Sequence, residues 1–301
     1  MLPVTLTRQL SLYDTVSERS ITRQRNEMAR LQEQLGSGLR VNRASDDPEA
    51  YSQARRMEVL QNRYAQYQRS IDTARGWVDG TQDALASALD TLTAIYEDGV
   101  RLASDTFSAT DRAIGADTVE ALLEELVDTF NTKMGDEYLF AGSASTSPPF
   151  TRSGSTVTYN GNSQDRDRSI APSVSLAINQ TGEAIQDTGQ GYTVTQAAQA
   201  MIDALRADDT AQIQTALEQV TEARDHLGAK VSEAGQVANR LTLAEEQLRS
   251  LDFVAAGQRS LAEDADLAAT ILAFEEAQIG LQAALQSSAS ILQTTLLDFL
   301  R

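Results

Sequence analysis

His226 is the sole histidine among 301 residues, and Glu222 and Asp225 lie within one helical turn of it. A histidine beside a carboxylate is the pairing that general acid–base catalysis uses. On a helix, however, these neighbours fall on a solvated face. With one histidine and no cysteine, a metal site would have to be built from oxygen alone. Asp264 and Asp266 sit close together, but the rest of a calcium loop is missing. Asp165 and Asp167 alternate with Arg166 and Arg168, a pattern that predicts cross-strand ion pairs. Gly36-Ser37-Gly38 begins like a dinucleotide-binding loop. Val41 holds the place of the third glycine, and a helix rather than a strand precedes the motif, so it reads as a helix stop and hinge at Gly36 and Gly38. Arg55, Arg56, Arg63, Tyr64, Tyr67 and Arg69 mix basic and aromatic side chains in the manner of a nucleic-acid surface. Tyr64 and Tyr67 fall on a heptad seam, where packing accounts for them. Asn179-Gln180-Thr181 is a glycosylation sequon too short to carry weight. The residues therefore predict no catalytic, cofactor or metal site, and not an enzyme. What remains is assembly.

Composition points the same way. Acids outnumber bases by 43 to 25, a net charge of -18, which argues against nucleic acid as a partner because such binding needs basic surface to displace counterions. The charge is uneven. Residues 1–75 carry twelve arginines against nine carboxylates and are weakly basic, so the remainder holds the acidic excess. Aromatic residues make up 5%, a low value typical of long-helix proteins. No apolar run nears the ~20 residues that span a bilayer, so no membrane insertion is expected. No charged segment followed by an apolar core opens the chain, so no cleaved signal peptide is expected either.

These observations require long elements. Residues 14–35 read as a helix with Ile21, Met28, Leu31 and Leu35 on one face. Asp47-Pro48 starts the next, with Asp47 as N-cap and proline at the first helical position. From Leu60 through Tyr64, Tyr67, Ile71, Ala74, Val78, Thr81, Leu85, Ala88, Leu92, Ile95 and Gly99 to Leu102, steps of four and three alternate without a slip. Such a seam means coiled-coil-like packing. At ~1.5 Å per residue, a helix from Pro48 to Leu102 is about 80 Å long. A third helix over 111–133 carries Ile114, Val119, Leu122, Leu123, Leu126, Val127 and Phe130. Residues 143–192 are rich in Ser, Thr, Gly, Asn and Gln. There Thr156–Tyr159 alternates apolar and polar residues ahead of a hairpin signal at Asn160-Gly161, and Ser173–Ile178 alternates likewise. Asp209 to Gln212 resembles a capping box. A second seam follows through Ile213, Leu217, Val220, Leu227, Val231, Ala234, Ala238, Leu241 and Leu248, broken by Arg224 and Glu245, and it is expected to lie antiparallel to the first. The last helix carries Leu267, Ile271, Phe274, Leu281, Leu285 and Leu292, then Leu296, Leu297, Phe299 and Leu300. An apolar stripe of this kind needs a cover.

The fold expected is mainly α, a long antiparallel coiled-coil-like helical bundle built from both chain ends with a small inserted β domain. Residues 1–40 and 262–301 form a terminal-helix domain. Residues 41–142 and 193–261 form a long-helix core, and 143–192 the insertion.

Gly36-Ser-Gly-Leu-Arg-Val-Asn-Arg-Ala-Ser-Asp-Asp-Pro48 resembles the N-terminal signature shared by flagellins and flagellar hook-associated proteins. Asp266-Leu-Ala-Ala-Thr-Ile271, with Gln278-Ile-Gly-Leu-Gln-Ala-Ala-Leu285, is similar to the C-terminal signature of the same superfamily. Ser45-Asp-Asp-Pro48, Tyr138-Leu-Phe-Ala-Gly-Ser143 and Leu296-Leu-Asp-Phe-Leu300 are closer to the hook-associated protein 3 branch than to flagellin. Arg301 and the opening Met1-Leu-Pro-Val-Thr-Leu6 depart from common patterns. The resemblance implies a non-enzymatic building block that leaves the cell through the type III export channel, accompanied by an export chaperone. It implies an extracellular homo-oligomer, a ring or short tube, at the hook–filament junction between hook-associated protein 1 and flagellin, required for motility. In that setting Ile21, Met28, Leu31, Leu35, Leu267, Ile271, Phe274, Leu281, Leu285 and Leu292 are the expected assembly contacts.

Overall fold

In a computed structural model the backbone is described for residues 3–144 and 146–299, and the side chains for 18–144 and 146–290. Leu292, Leu296, Leu297, Phe299 and Leu300 therefore lie outside the residues whose side chains are described. The elements run in the order α1 (Pro3–Ser37), α2 (Pro48–Leu102), α3 (Ala109–Phe130), β1 (Lys133–Met134), β2 (Glu137–Tyr138), β3 (Phe150–Ser153), β4 (Thr156–Tyr159), β5 (Asp167–Ala171), β6 (Val174–Ala177), α4 (Gly182–Gln186), α5 (Val194–Arg206), α6 (Thr210–Glu263) and α7 (Leu267–Phe299). The chain is mainly helical, with a small strand region inserted between long helices. Packing divides it into two compact units, Arg63–Leu251 and the pair Met1–Asn62 with Asp252–Arg301.

Within Arg63–Leu251 the predicted seam is the core. Ile71, Ala74, Val78, Thr81, Leu85, Ala88, Leu92, Ile95 and Leu102 of α2 are buried, and Tyr64 and Tyr67 pack on the same cluster. Ile213, Val220, Leu227, Leu241 and Leu248 of α6 face it. The helices run antiparallel: Arg75 bonds Glu245 at 2.7 Å, while Arg224 bonds Thr93 at 3.2 Å and lies over the Tyr96 ring at 4.9 Å. Arg224 and Glu245, the polar breaks in the α6 seam, are thus its cross-helix partners. In α3, Val119, Leu123, Leu126, Val127 and Phe130 turn inward. Ile114 does not. It is 62% exposed, and Gly115 takes the buried place because Leu102 leaves no room there for a side chain.

Helix starts follow local chemistry. Ser108 and Asp111 form a reciprocal capping box, as do Thr193 and Gln196. At Asp209 the expected box is partial. The carboxylate accepts the Gln212 N–H at 3.1 Å, but the Gln212 amide donates to that carboxylate and leaves the main chain.

The strands form three separate antiparallel pairs, β1–β2, β3–β4 and β5–β6. Pairing starts at Lys133, ahead of the expected insertion boundary at 143. Asn160-Gly161 is not the hairpin turn. The β3–β4 reversal lies between Ser153 and Thr156 and uses Gly154 at φ +60°. Asn160 instead donates its N–H to Pro149 O at 2.7 Å and prolongs the pairing beyond β4. Arg166 also departs from expectation. It pairs with Glu137 of β2 at 2.6 Å and stacks on Trp77 at 4.3 Å, while among the described residues Asp165, Asp167 and Arg168 form none of the expected cross-strand ion pairs.

An aromatic cluster ties the insertion to α3. Phe130 meets Phe140 edge-on at 6.3 Å and Phe150 at 5.4 Å, and Phe150 meets Tyr159 at 5.2 Å. Asn131 clamps the Phe150 backbone with its amide, donating at 2.9 Å and accepting at 2.9 Å. Beside the cluster, Gly142 adopts φ +68°, and a Cβ there would lie 2.2 Å from the Asn162 carbonyl oxygen. Left-handed backbone costs an L-residue roughly 1–2 kcal/mol before any clash. Gly142→Ala should therefore lose about 2–4 kcal/mol, adding strain at an over-determined site. Chemical denaturation followed through the sole tryptophan, Trp77, reads this loss, and a change below about 1 kcal/mol would contradict the assignment.

Candidate functional site

The N-terminal signature meets the segment that leads directly into the C-terminal one. Gly38 ends α1 with φ +73°, a value glycine adopts freely. Gly36 stays helical, so the stop lies at Gly38 alone. From there the connector to α2 pairs with the break between α6 and α7. Leu39 bridges Asp264 in antiparallel fashion. The Arg40 N–H donates to Glu263 O at 2.6 Å, and the Ala265 N–H to Gly38 O at 2.9 Å.

Side chains complete this knot. The Arg40 guanidinium donates to Ala262 O at 2.8 Å and reaches Asp47 at 3.3 Å. It thereby places a cation on the free carbonyls at the end of α6, where the helix dipole favours one. Gln34 is buried and donates to Arg40 O at 2.8 Å. Asp46 accepts the N–H groups of Asn42 at 3.1 Å and Arg43 at 2.9 Å, and Arg43 pairs with Glu33 at 2.7 Å. Val41 is buried beneath. Asp47 caps α2, accepting the Ala50 N–H at 3.1 Å. That main-chain bond first, and Arg40 second, hold its carboxyl below the ordinary aspartate range. The grip is thus present at neutral pH and lost only as pH falls through that lowered value. Asp266 caps α7 by accepting the Ala269 N–H at 3.1 Å, and Asp264 takes the Ser260 hydroxyl. Both aspartates are committed to helix ends. Among the described residues, no group of His, Asp and Glu is placed to hold a metal ion.

Beyond the knot, α1 and α7 pack side by side, antiparallel, with Gln24 opposite Gly280. Leu31 is buried, and Ile21, Met28 and Leu35 are half-buried. On α7, Phe274 and Leu281 are half-buried, whereas Leu267, Ile271 and Leu285 remain exposed. The covered face of α7 is lined largely by small residues: Thr270 and Ala277 are buried, and Ala273, Gly280 and Ala284 are half-buried. These small residues carry little hydropathy signal, so the stripe read from large apolar side chains lies one flank away from the true contact. Leu272 and Ile279, outside that stripe, are also exposed.

The remaining sequence candidates have structural roles. His226 Nε2 lies 3.0 Å from Ala184 O and joins α6 to α4. Asn179 is buried, accepts the Arg166 N–H at 2.7 Å and donates to Gln164 O at 3.2 Å, so its sequon is occupied by folding. No helix among the described residues is long and apolar enough to cross a membrane.

Residues 12–145 match the family profile described as the bacterial flagellin N-terminal helical region. Flagellar hook-associated protein 3 of Escherichia coli (strain K12) is 30% identical over 171 residues, which is 56% of this chain and 53% of that protein. The protein of the same name from Salmonella typhimurium is 28% identical over 166 residues, 55% of this chain and 52% of the relative. The matched stretch spans about half the length of these curated relatives. Among solved structures, the flagellar junction protein FlgL from Legionella pneumophila superposes with a TM-score of 0.62 at 18% identity, covering 70% of this chain and 100% of that one. FlgL from Bacillus cereus gives 0.60 at 20% identity, covering 68% and 99%. At such identities the likeness is one of fold.

Proposed function

Because this chain resembles flagellar hook-associated protein 3 of the flagellin superfamily in both sequence and fold, we propose that it is a structural subunit of the bacterial flagellum. In this reading it is an adapter that joins the hook, through hook-associated protein 1, to the flagellin filament, and motility requires it. It acts outside the cell as a homo-oligomer after passage through the export channel with a chaperone. One observation carries the reading: the N-terminal signature interlocks with the segment that leads into the C-terminal one, and of the two helices that extend from this element α7 leaves apolar residues uncovered. Burying each Leu- or Ile-sized side chain is worth about 1.5–3 kcal/mol. Neighbouring subunits would supply that burial, coupling the order of the terminal helices to assembly.

Immunogold electron microscopy of intact flagella tests the proposal. Label confined to the hook–filament boundary is the expected result. Label along the whole filament would make the chain a flagellin instead, and flagella without label would remove the flagellar reading altogether.

A further inference from the structure

Two exposed apolar surfaces within Met1–Asn62 and Asp252–Arg301 are uncovered by their own chain and carry opposite charge. The first is a groove of about 640 Å³ along the start of α2, lined by Tyr51, Arg55, Arg56, Met57, Val59 and Leu60. Val59 at its centre is 57% exposed. Arg55 and Arg56 precede it by four and three residues and so flank it on the helix surface. Arg55 lies over the Tyr51 ring at 5.1 Å and pairs with Glu58. Arg56 has no ion pair among the described residues.

The second surface is the face of α7 turned away from α1. Leu272 is 62% and Ile279 67% exposed. Seven residues apart, they stand nearly in line, and Glu275 and Glu276 fall on either side of that line. Neither glutamate has an ion pair among the described residues, and both are exposed. One surface thus presents an apolar centre between two arginines, and the other an apolar line between two glutamates.

We infer that the Leu272–Ile279 face of one copy docks on the Tyr51–Leu60 groove of a second copy, with Glu275 and Glu276 opposite Arg55 and Arg56. This deepens the proposed function and rests on it, since it needs copies assembled side by side. The complementarity supplies attraction and orients the two faces toward each other.

The chain has no cysteine, which gives a clean background for the test. Val59→Cys and Ile279→Cys are placed in two separate copies and expressed together in cells lacking the native chain. Purified flagella are treated with a short bismaleimide and analysed by denaturing electrophoresis. The expected result is a dimer-mass band that needs both variants and is absent with either alone. Arg55→Glu with Arg56→Glu in the Val59→Cys copy should lower the yield at least tenfold, and Glu275→Arg with Glu276→Arg in the other copy should restore it. If the chain is present in flagella but no dimer forms, the docking is wrong and the proposed function stands. A band confined to single chains carrying both cysteines would place the contact within one copy and overturn the inference. Absence of the chain from purified flagella overturns both.

Discussion

A chain carrying Leu281→Asp and Leu285→Asp should fail to support swimming while its central helices stay folded. Leu281 is half-buried between α7 and α1, and Leu285 is 42% exposed beside it. A carboxylate at position 281 must either desolvate or force the helices apart, and an unpaired charge is far costlier to bury than a polar group. At position 285 the substitution removes apolar surface available to a neighbour. Neither residue belongs to Arg63–Leu251, whose core is drawn from other helices. Limited proteolysis should therefore still yield a resistant fragment close to 63–251. A soft-agar assay should show no spreading, and electron microscopy no filaments on the hooks. Normal swimming by this variant would remove the terminal helices from any role in assembly.

The second large effect is one of stability. Phe130 is fully buried and contacts both Phe140 and Phe150, so it joins α3 to the strand insertion. Phe130→Ala should cost about 3–5 kcal/mol, the range for truncating a buried aromatic ring. Against a typical domain stability of ~5–15 kcal/mol, that is a large share. The urea midpoint should fall with little change in slope. Trp77 reports on the same region because Arg166, whose N–H is held by Asn179, stacks upon it. A loss below about 1 kcal/mol would mean that the insertion does not depend on this cluster.

Much of this architecture was readable from residue types. The α2 and α6 seams were legible because large apolar side chains recur at three and four residues over many turns, and their polar breaks, Arg224 and Glu245, proved to be partners across the helix pair. The α1–α7 contact was only half legible, since the covered face uses Thr270, Ala277 and Gly280. Close approach of two helices selects small residues there, and small residues leave almost no hydropathy pattern. Turn chemistry misled at Asn160-Gly161: the dipeptide suits a hairpin, but Gly154 had already reversed the chain. The Asp165–Arg168 run departs from expectation because alternating charges suggest pairing with the adjacent strand, whereas the partners of Arg166, Trp77 and Glu137, come from distant segments. Of the knot itself only the N-terminal signature was visible, since residues 262–265 lie just outside the C-terminal one. Its bonds are largely main-chain bonds, which no side-chain pattern records.

That knot also governs the order of folding. Arg40 and Ala262 are 222 residues apart in sequence. Closing a loop of that length costs roughly 5 kcal/mol of chain entropy on a (3/2)RT ln n scaling. The bonds that close it join the connector before α2 to a segment made some 222 residues later. A chain interrupted anywhere before the α6–α7 break keeps an unpaired connector at Leu39–Val41 and cannot set α1 against α7. The contact thus works as a checkpoint on synthesis: only a polypeptide made through the α6–α7 break can form the element from which α1 and α7 extend.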